Sequence, residues 1–491
     1  MTVHPSPEQI LQARGAIEEH YGPGDVVPQI PRRSPGQHPA ITNGGTAGFE
    51  LTEDGIARAF ARKHKDDLRF CHHAGKWYHW TGARWQKEET KLAFHWAREI
   101  CREINARRDG KLAKASTAAA VERFAQADPT FSITSEIWDS DPFLLGTPAG
   151  TVDLRTGVLR RAARDDFITR QTAVPPDASA GCPLWMRFLE EATLGDKDLQ
   201  RFLAQVAGYC LTGDVREHAL FFVYGPGGNG KSVFLNVLAG VMGDYATTAA
   251  MDTFTASAMD RHPTDLAMLQ GARLVSASET EEGRAWAESR IKQMTGGDTI
   301  RARFMRQDFF EYRPQFKLII VGNHKPVLRN VDEAAKRRFN IIPFVHRPQT
   351  PDRQLEEKLR AEWPAILAWA VEGALDWQRN GLVRPAVVSD ATNEYFSEQD
   401  SVRQWVEECC ETGSRTLCDT TANLFASWTD YAHRNGEQPG TTKWFSQALQ
   451  RHGYEPVADT PGHRKKRGFL RIRVKAKDTS GQWQNRPEAE R

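Results

Sequence analysis

Several things are scarce in this 491-residue sequence, and each scarcity closes off a class of explanation. Cysteine occurs seven times but never as a CxxC pair. An odd number of scattered thiols suits a reducing compartment better than a disulfide framework. Cys71-His72-His73 does not reverse that reading, because adjacent side chains on one segment rarely reach tetrahedral geometry without ligands from elsewhere. No run of about 18 apolar residues occurs, which argues against a membrane-spanning helix. The opening MTVHPSPEQILQARG lacks the charged-then-apolar layout of a signal peptide. A soluble, cytoplasmic protein with no membrane partner is the expectation. Net charge is nearly absent as well: 65 Lys and Arg stand against 63 Asp and Glu, so any nucleic-acid surface must be local. No internal repeat is evident.

What is present is a chain too long for one compact domain, since a soft prior of roughly 150 residues per domain gives about three. Residues 1–50 read as a flexible segment, with Pro and Gly dense from 22 to 48 and no helical or strand period. An amphipathic pattern from Leu51 through Phe60 leads into Leu68 to Trp85, where Trp77, Tyr78, Trp80 and Trp85 and a turn at Thr81-Gly82 predict a small hairpin. Helical sequence follows from 91 to 127, and Leu144 to Leu159 reads as a second hairpin or meander. These make an α+β region over 51–183. Helical patterning resumes at Leu184 to Leu211, after which short apolar runs alternate with helical segments, the signature of an α/β core over 184–346. The candidate strands are Ala219 to Tyr224, Arg273 to Ser278, Phe316 to Val321 and Phe339 to Phe344. A helical segment over 347–397, with Trp363, Leu367, Trp369 and Leu375 at core spacing, a small unit over 398–476 and a flexible tail over 477–491 complete the chain.

The segment Gly225-Pro226-Gly227-Gly228-Asn229-Gly230-Lys231-Ser232 satisfies G-x-x-x-x-G-K-[ST] and stands between an apolar strand (ALFFVY) and a helical run (VFLNVLAGVMG). That context makes it a phosphate-binding loop rather than a plain glycine turn. Glycines let the backbone curl and aim N–H groups inward, and the helix N-terminus adds partial positive charge. Lys231 would neutralise β- and γ-phosphate charge, and the Ser232 hydroxyl would join the Mg²⁺ shell of bound ATP. Such a site also needs a carboxylate at the end of a neighbouring strand. LVSAS followed by Glu279 offers one, with Glu281 and Glu282 as competitors and Glu279 a second candidate for the metal. Asn323, after the strand Phe316 to Val321, is placed to bond a γ-phosphate or orient water, or else is a simple turn former. Lys336-Arg337-Arg338 precedes the last strand, and a guanidinium there could reach a phosphate bound by a neighbouring subunit.

In this order the motifs resemble superfamily 3 helicases of the phage and plasmid primase-helicase group, which includes the poxvirus primase-helicase. The resemblance is carried by GPGGNGKS, GARLVSASETEEG, IKQMTGGDTIRAR, RPQFKLIIVGNHKP and DEAAKRRFNIIPF, matching the family's A, B, B′ and C motifs and its arginine-finger segment. Upstream, GKWYHWTGARW, GTVDLRTGVL and Cys182-Pro183-Leu184-Trp185 look like the domain preceding the motor, and Ser401 to Val474 resembles its winged-helix domain. The resemblance implies an AAA+-like P-loop ATPase fold with an α+β N-terminal domain and a C-terminal winged helix. It assigns Lys231 and Ser232 to ATP and Mg²⁺, Glu279 to the Walker B carboxylate, Asn323 to sensor 1, and Arg337 or Arg338 to the finger. The B′ segment would line a pore through Lys292 and a hairpin over Thr299 to Tyr312 carrying Arg301, Arg303 and Arg306. Only about 50 residues precede the matching region, leaving no room for the primase domain the group often carries, so priming, if the system needs it, is expected from a separate polypeptide. Asp139-Ser140-Asp141 has the spacing of a two-metal carboxylate pair, but falls where the family counterpart is structural.

Three helical patterns at Val402 to Glu411, Thr420 to His433 and Thr442 to His452, then an extended run Phe469 to Val474, follow winged-helix logic. The third helix would enter a major groove, and Arg464, Lys465, Lys466 and Arg467 would form a wing tip near phosphate. Alternation is expected to set Arg471 and Arg473 on one face. Two functions compete: an ATP-driven helicase, a hexameric ring in the host cytoplasm acting on single- and double-stranded DNA, and a nucleotide-switched initiator that melts or marks an origin without translocating.

Overall fold

The computed structural model describes residues 52–105, 112–256, 264–278, 285–305, 308–328, 333–435, 438–463, 465–477 and 483–484. The chain divides into two units, residues 1–56 and 57–491. Of the first, only residues 52–56, including the opening turn of helix α1 (Glu53–His64), are among the described residues.

The second unit begins with an aromatic α+β region. Strands β1 (Leu68–Cys71), β2 (Lys76–Trp80) and β3 (Trp85–Lys87) form an antiparallel meander, and β4 (Ser132–Ile133) joins β1 in parallel. The expected single hairpin is thus three-stranded. The turn at Thr81-Gly82 is present, with Thr81 N–H donating to Arg84 O at 2.9 Å, but a second reversal occurs between Cys71 and Lys76, where Gly75 takes a left-handed φ of 59°. Helices α2 (Leu92–Asn105) and α3 (Ala115–Ala127) pack on each other. Trp77, Phe70 and Phe131 meet edge-on at 5.1–5.5 Å in the interior between sheet and helices. A second meander, β5 (Leu144–Thr147), β6 (Gly150–Asp153) and β7 (Val158–Arg160), follows as anticipated.

Helices α4 (Pro183–Ala192) and α5 (Lys197–Leu211) lead into the α/β core. Pro183 opens α4, where its missing N–H costs nothing. Asp196 caps α5 by accepting from Leu199 N–H at 3.0 Å. The core is a five-stranded parallel sheet of β8 (Leu220–Tyr224), β9 (Ala246–Thr248), β10 (Leu274–Ser278), β13 (Lys317–Gly322) and β14 (Phe339–Pro343), ordered β14-β8-β13-β10-β9. The four candidate strands are all there. Their residues are buried on both faces, which is why they read as unbroken apolar runs. Helix α6 (Lys231–Met242) leaves β8, and helix α7 (Glu288–Gly296) with the hairpin β11 (Ile300–Ala302) and β12 (Phe310–Tyr312) lies between β10 and β13. Helix α8 (Glu333–Arg338) runs directly into β14.

One continuous apolar core joins Leu145, Val152 and Leu154 of the second meander to α4, α5, α6 and the face of the sheet under helix α9 (Trp363–Asn380). Helices α5 and α9 cross at their glycines. A Cβ on Gly208 would collide with the backbone of Gly373 and Ala374, and one on Gly373 would strike Ala204 O. Gly373→Ala should therefore lower the melting temperature by several degrees, since backbone cannot give way as a flexible side chain can; overpacking costs about 1–3 kcal/mol. Thermal denaturation checks this against Gly227→Ala, where no atom lies within 4 Å of the added Cβ and no loss is expected.

At the base of the sheet two cations are buried. Arg273 donates to Leu211 O (2.6 Å) and Leu144 O (2.8 Å), and Lys317 Nζ donates to Thr212 O and to Gln315 O (3.2 Å). Leu211 and Thr212 end α5, whose C-terminal carbonyls favour positive charge. Burial still pushes the Lys317 ammonium down to about 7.

Helix α10 (Ala386–Glu398) packs on β14 and leads to a C-terminal unit with its own core. There, α11 (Ser401–Cys409), α12 (Thr421–Arg434) and α13 (Thr442–Arg451) surround Trp405, Trp428 and Phe445. Asp400, Thr420 and Thr441 cap them by accepting N–H groups three residues on. Strands β15 (Cys410–Thr412), β16 (Cys418–Thr420), β17 (Glu455–Val457), β18 (Gly468–Leu470) and β19 (Ile472–Val474) pair as β16-β18-β17 and β15-β19. The expected continuous run Phe469 to Val474 is interrupted: Arg471 has φ 66°, so the inward set shifts from Phe469 to Ile472 and Val474. Arg471 and Arg473 are then divided between Glu455 (3.5 Å) and Glu411 (2.8 Å).

Candidate nucleotide-binding site

The C-terminal ends of β8, β10 and β13 open on a cleft of about 360 Å³ lined by Gly227 to Val233, Ser278, Val321, Gly322 and Asn323. Binding at the carboxyl edge of a parallel sheet is where such folds place ligands. The loop between β8 and α6 supplies most of the wall. Gly230 takes φ 83° as it enters α6, and a Cβ there would lie 2.6 Å from the Phe188 ring, so only glycine fits between loop and α4. Gly225 has no room either, because Phe344 O lies where its Cβ would stand.

Lys231 heads α6 and is buried. Its ammonium donates to Gly225 O (2.7 Å), Pro226 O (3.0 Å), Asn229 Oδ1 (2.9 Å) and Asn323 Oδ1 (3.1 Å). All four acceptors are neutral, and burial pushes its pKa below the ordinary lysine value. A cation held by dipoles, with no carboxylate partner among the described residues, suits an anionic ligand. Asn323 follows β13 and is exposed to the cleft mouth, as is Ser232 on the first turn of α6. The structure thus brings Lys231, Ser232, Asn229 and Asn323 together. β10 contributes Ser278 to the same wall, while Glu279, Glu281 and Glu282 lie outside the described residues.

Other predicted residues fall elsewhere. Arg337 and Arg338 end α8; Arg337 is exposed, whereas Arg338 is half-buried and donates to Ala334 O at 2.8 Å. Lys292 is half-buried on α7. The hairpin expected over Thr299 to Tyr312 is formed by β11 and β12, and both Arg301 and Arg303 lie over the Phe309 ring, at 4.6 and 4.8 Å. Arg306 and Arg464 lie outside the described residues. Lys465, Lys466 and Arg467 are exposed on the connection between β17 and β18.

The Asp139-Ser140-Asp141 spacing has a structural explanation. Asp139 accepts from Thr169 N–H at 2.9 Å and from the Thr169 hydroxyl, while Asp141 accepts from Arg155 and Phe143 N–H. His72 and His73 bond Gln126 O and Ser135 Oγ, and no group of metal-ligating side chains occurs among the described residues. Neither the bond from Asn229 Nδ2 to Phe344 O nor the position of Arg347 beside Gly228 was visible in the sequence pattern, since each joins the loop to a segment over a hundred residues on.

Residues 57–194 match a family described as D5 N terminal like, and residues 223–338 match a family of unknown function (DUF5906). "Putative helicase L207/L206" of Acanthamoeba polyphaga mimivirus is 25% identical over 293 residues, 55% of this chain and 30% of that protein. "Putative helicase 022R" of Frog virus 3 is 27% identical over 261 residues, 48% of this chain and 26% of that one. The chain is therefore similar in sequence to viral proteins described as putative helicases and, over its N-terminal region, to the D5 N terminal like family. It spans less than a third of the length of those two curated relatives. The fold has a solved counterpart in the apo structure of the NrS-1 C terminal region, with a TM-score of 0.51 and 12% identity over 86% of this chain and 100% of that one. Among the described residues no helix is long and apolar enough to cross a membrane.

Proposed function

We propose that this chain is an ATP-driven DNA helicase, working as a hexameric ring in which Arg337 or Arg338 of one subunit completes the site of the next. The observation that carries the reading is Lys231: a buried ammonium at the head of α6, held by neutral acceptors and faced by Asn323 from the adjacent strand. Sheet order supports it too, because β13 separates β8 from β10, and Asn323 after β13 lines the cleft together with the loop and Ser278 at the end of β10. That is the arrangement of an AAA+-like core.

The residues present fit a magnesium nucleotide: a glycine loop that a Cβ would fill at Gly225 and Gly230, one buried cation and one exposed hydroxyl. Magnesium, when bound with the nucleotide, would neutralise charge on the β- and γ-phosphates. Loop N–H groups and the α6 N-terminus orient the phosphates, Lys231 neutralises negative charge building on the leaving group, and Ser232 offers its hydroxyl as a ligand. Asn323 holds the attacking water or a γ-oxygen through its amide, and Glu279 accepts the proton that water gives up. The finger arginine stabilises the transition-state charge from across the interface.

DNA would be met twice. The hairpin β11–β12 offers Arg301, Arg303 and Arg306 to a strand in the pore, with Lys292 behind it, and the C-terminal unit acts as a winged helix whose tip carries Arg464 to Arg467. Replacing the four tip residues with Ala should weaken initial duplex binding and flatten its salt dependence. For every phosphate that the variant no longer neutralises, the slope of log K against log salt should shrink by about 0.9. Fluorescence anisotropy across a salt series reads this directly, and an unchanged slope would mean that the basic run is only solvated surface.

A further inference from the structure

The segment that leaves β14 closes back on the phosphate loop. Phe344 donates its N–H to Tyr224 O at 2.7 Å, at the end of β8, and its carbonyl accepts from Asn229 Nδ2. The same carbonyl lies where a Gly225 Cβ would be, so loop and strand exit touch at two points. Asn229 is 3% exposed and its other amide atom accepts from Lys231. One side chain therefore ties the lysine at the head of α6 to the strand exit. Three residues on, Arg347 reaches over the loop crest: a Cβ built on Gly228 would lie 3.4 Å from its Nε and 3.9 Å from its Cζ. Arg347 is exposed and has no hydrogen-bond or ion-pair partner among the described residues.

An arginine side chain parked on a glycine, unpaired among the described residues and beside a cleft whose buried cation has only neutral acceptors among them, offers a planar donor fork where an anionic ligand would bind. We infer that Arg347 is a further phosphate-binding residue of the nucleotide site, contributed in cis by the same subunit that supplies Lys231, and that Asn229 positions it by clamping the exit of β14. The inference rests on the nucleotide-binding reading above. It separates Arg347 in kind from Arg337 and Arg338, which precede the same strand at its opposite end and serve a neighbour. A cation at each end of β14 would let one strand register nucleotide on both of its sides.

The test uses the full chain with Mg²⁺ and measures ADP and ATP binding by calorimetry for the wild type, Arg347→Ala and Arg347→Lys. Removing one charge-assisted hydrogen bond predicts affinity reduced roughly ten-fold in Arg347→Ala, with the melting temperature of the free protein unchanged. Arg347→Lys should recover part of the loss, because the point charge survives without the fork. Mixing Arg347→Ala with Lys231→Ala subunits should leave ATP affinity as weak as in Arg347→Ala alone, since every site with an intact Lys231 then lacks the Arg347 of its own subunit. Wild-type affinity for both nucleotides in Arg347→Ala would overturn the inference while leaving the site reading intact. Rescue in the mixture would overturn action in cis. A wild-type protein that binds neither nucleotide would overturn the site reading itself, and the inference with it.

Discussion

Lys231→Ala should reduce ATP turnover to background while the protein stays folded. The lysine supplies buried charge at the head of α6, and its four partners are backbone or amide oxygens, which repel an anion once the ammonium is gone. Removing such a preorganised charge typically costs about 10²–10³-fold or more in kcat, roughly 3–4 kcal/mol. Stability should change little, because Lys231 and its partners Asn229 and Asn323 line a cleft that water can enter once the side chain is truncated. Phosphate release and a thermal melt on the same preparation separate the two effects. Undiminished turnover would remove Lys231, and with it the cleft, from the account.

The second large effect belongs to the pair at the end of α8. One of Arg337→Ala and Arg338→Ala should leave nucleotide binding near wild type yet cut kcat about 10³–10⁵-fold, the range attached to arginine fingers. Exposure favours Arg337, since Arg338 is bonded back to Ala334 O on its own helix. Mixing the inactive variant with Lys231→Ala subunits should restore activity, because some interfaces then combine an intact loop with an intact finger. Failure of both arginines to complement would argue against catalysis across an interface, and so against a ring.

Much of this architecture was legible in the sequence for a physical reason. Strands buried on both faces must be apolar throughout, so β8, β10, β13 and β14 announce themselves as short runs bounded by Gly, Asn, Pro or charge, and the structure moves their ends by about one residue. The loop was legible because Gly225 and Gly230 occupy positions where a side chain has no space. Less legible was anything set by distant contacts. Arg273 and Lys317 open their strands as ordinary charged boundaries, yet both are buried because the C-terminal carbonyls of α5 receive them. Arg471 sits in a run of perfect alternation, but its left-handed φ lets β18 and β19 join different partners. The Asn229–Phe344 clamp and Arg347 depend on where the chain returns after β14, which no local pattern encodes. Family motifs filled some of that gap by naming Asn323 and the α8 arginines, whose relevance comes from order along the chain rather than from spacing.

The central claim is that nucleotide turnover at this cleft drives separation of DNA strands. Its most direct test is a strand-displacement assay on forked duplexes bearing a 3′ or a 5′ tail, with Mg²⁺ and ATP, comparing the wild type with Glu279→Gln. The account predicts that the wild type releases the labelled strand from at least one fork only when ATP is hydrolysed, and that Glu279→Gln still binds the fork but releases nothing. ATP hydrolysis and fork binding by the wild type with no displaced strand from either substrate would contradict it, and would make the chain a nucleotide-switched initiator that grips DNA without moving along it.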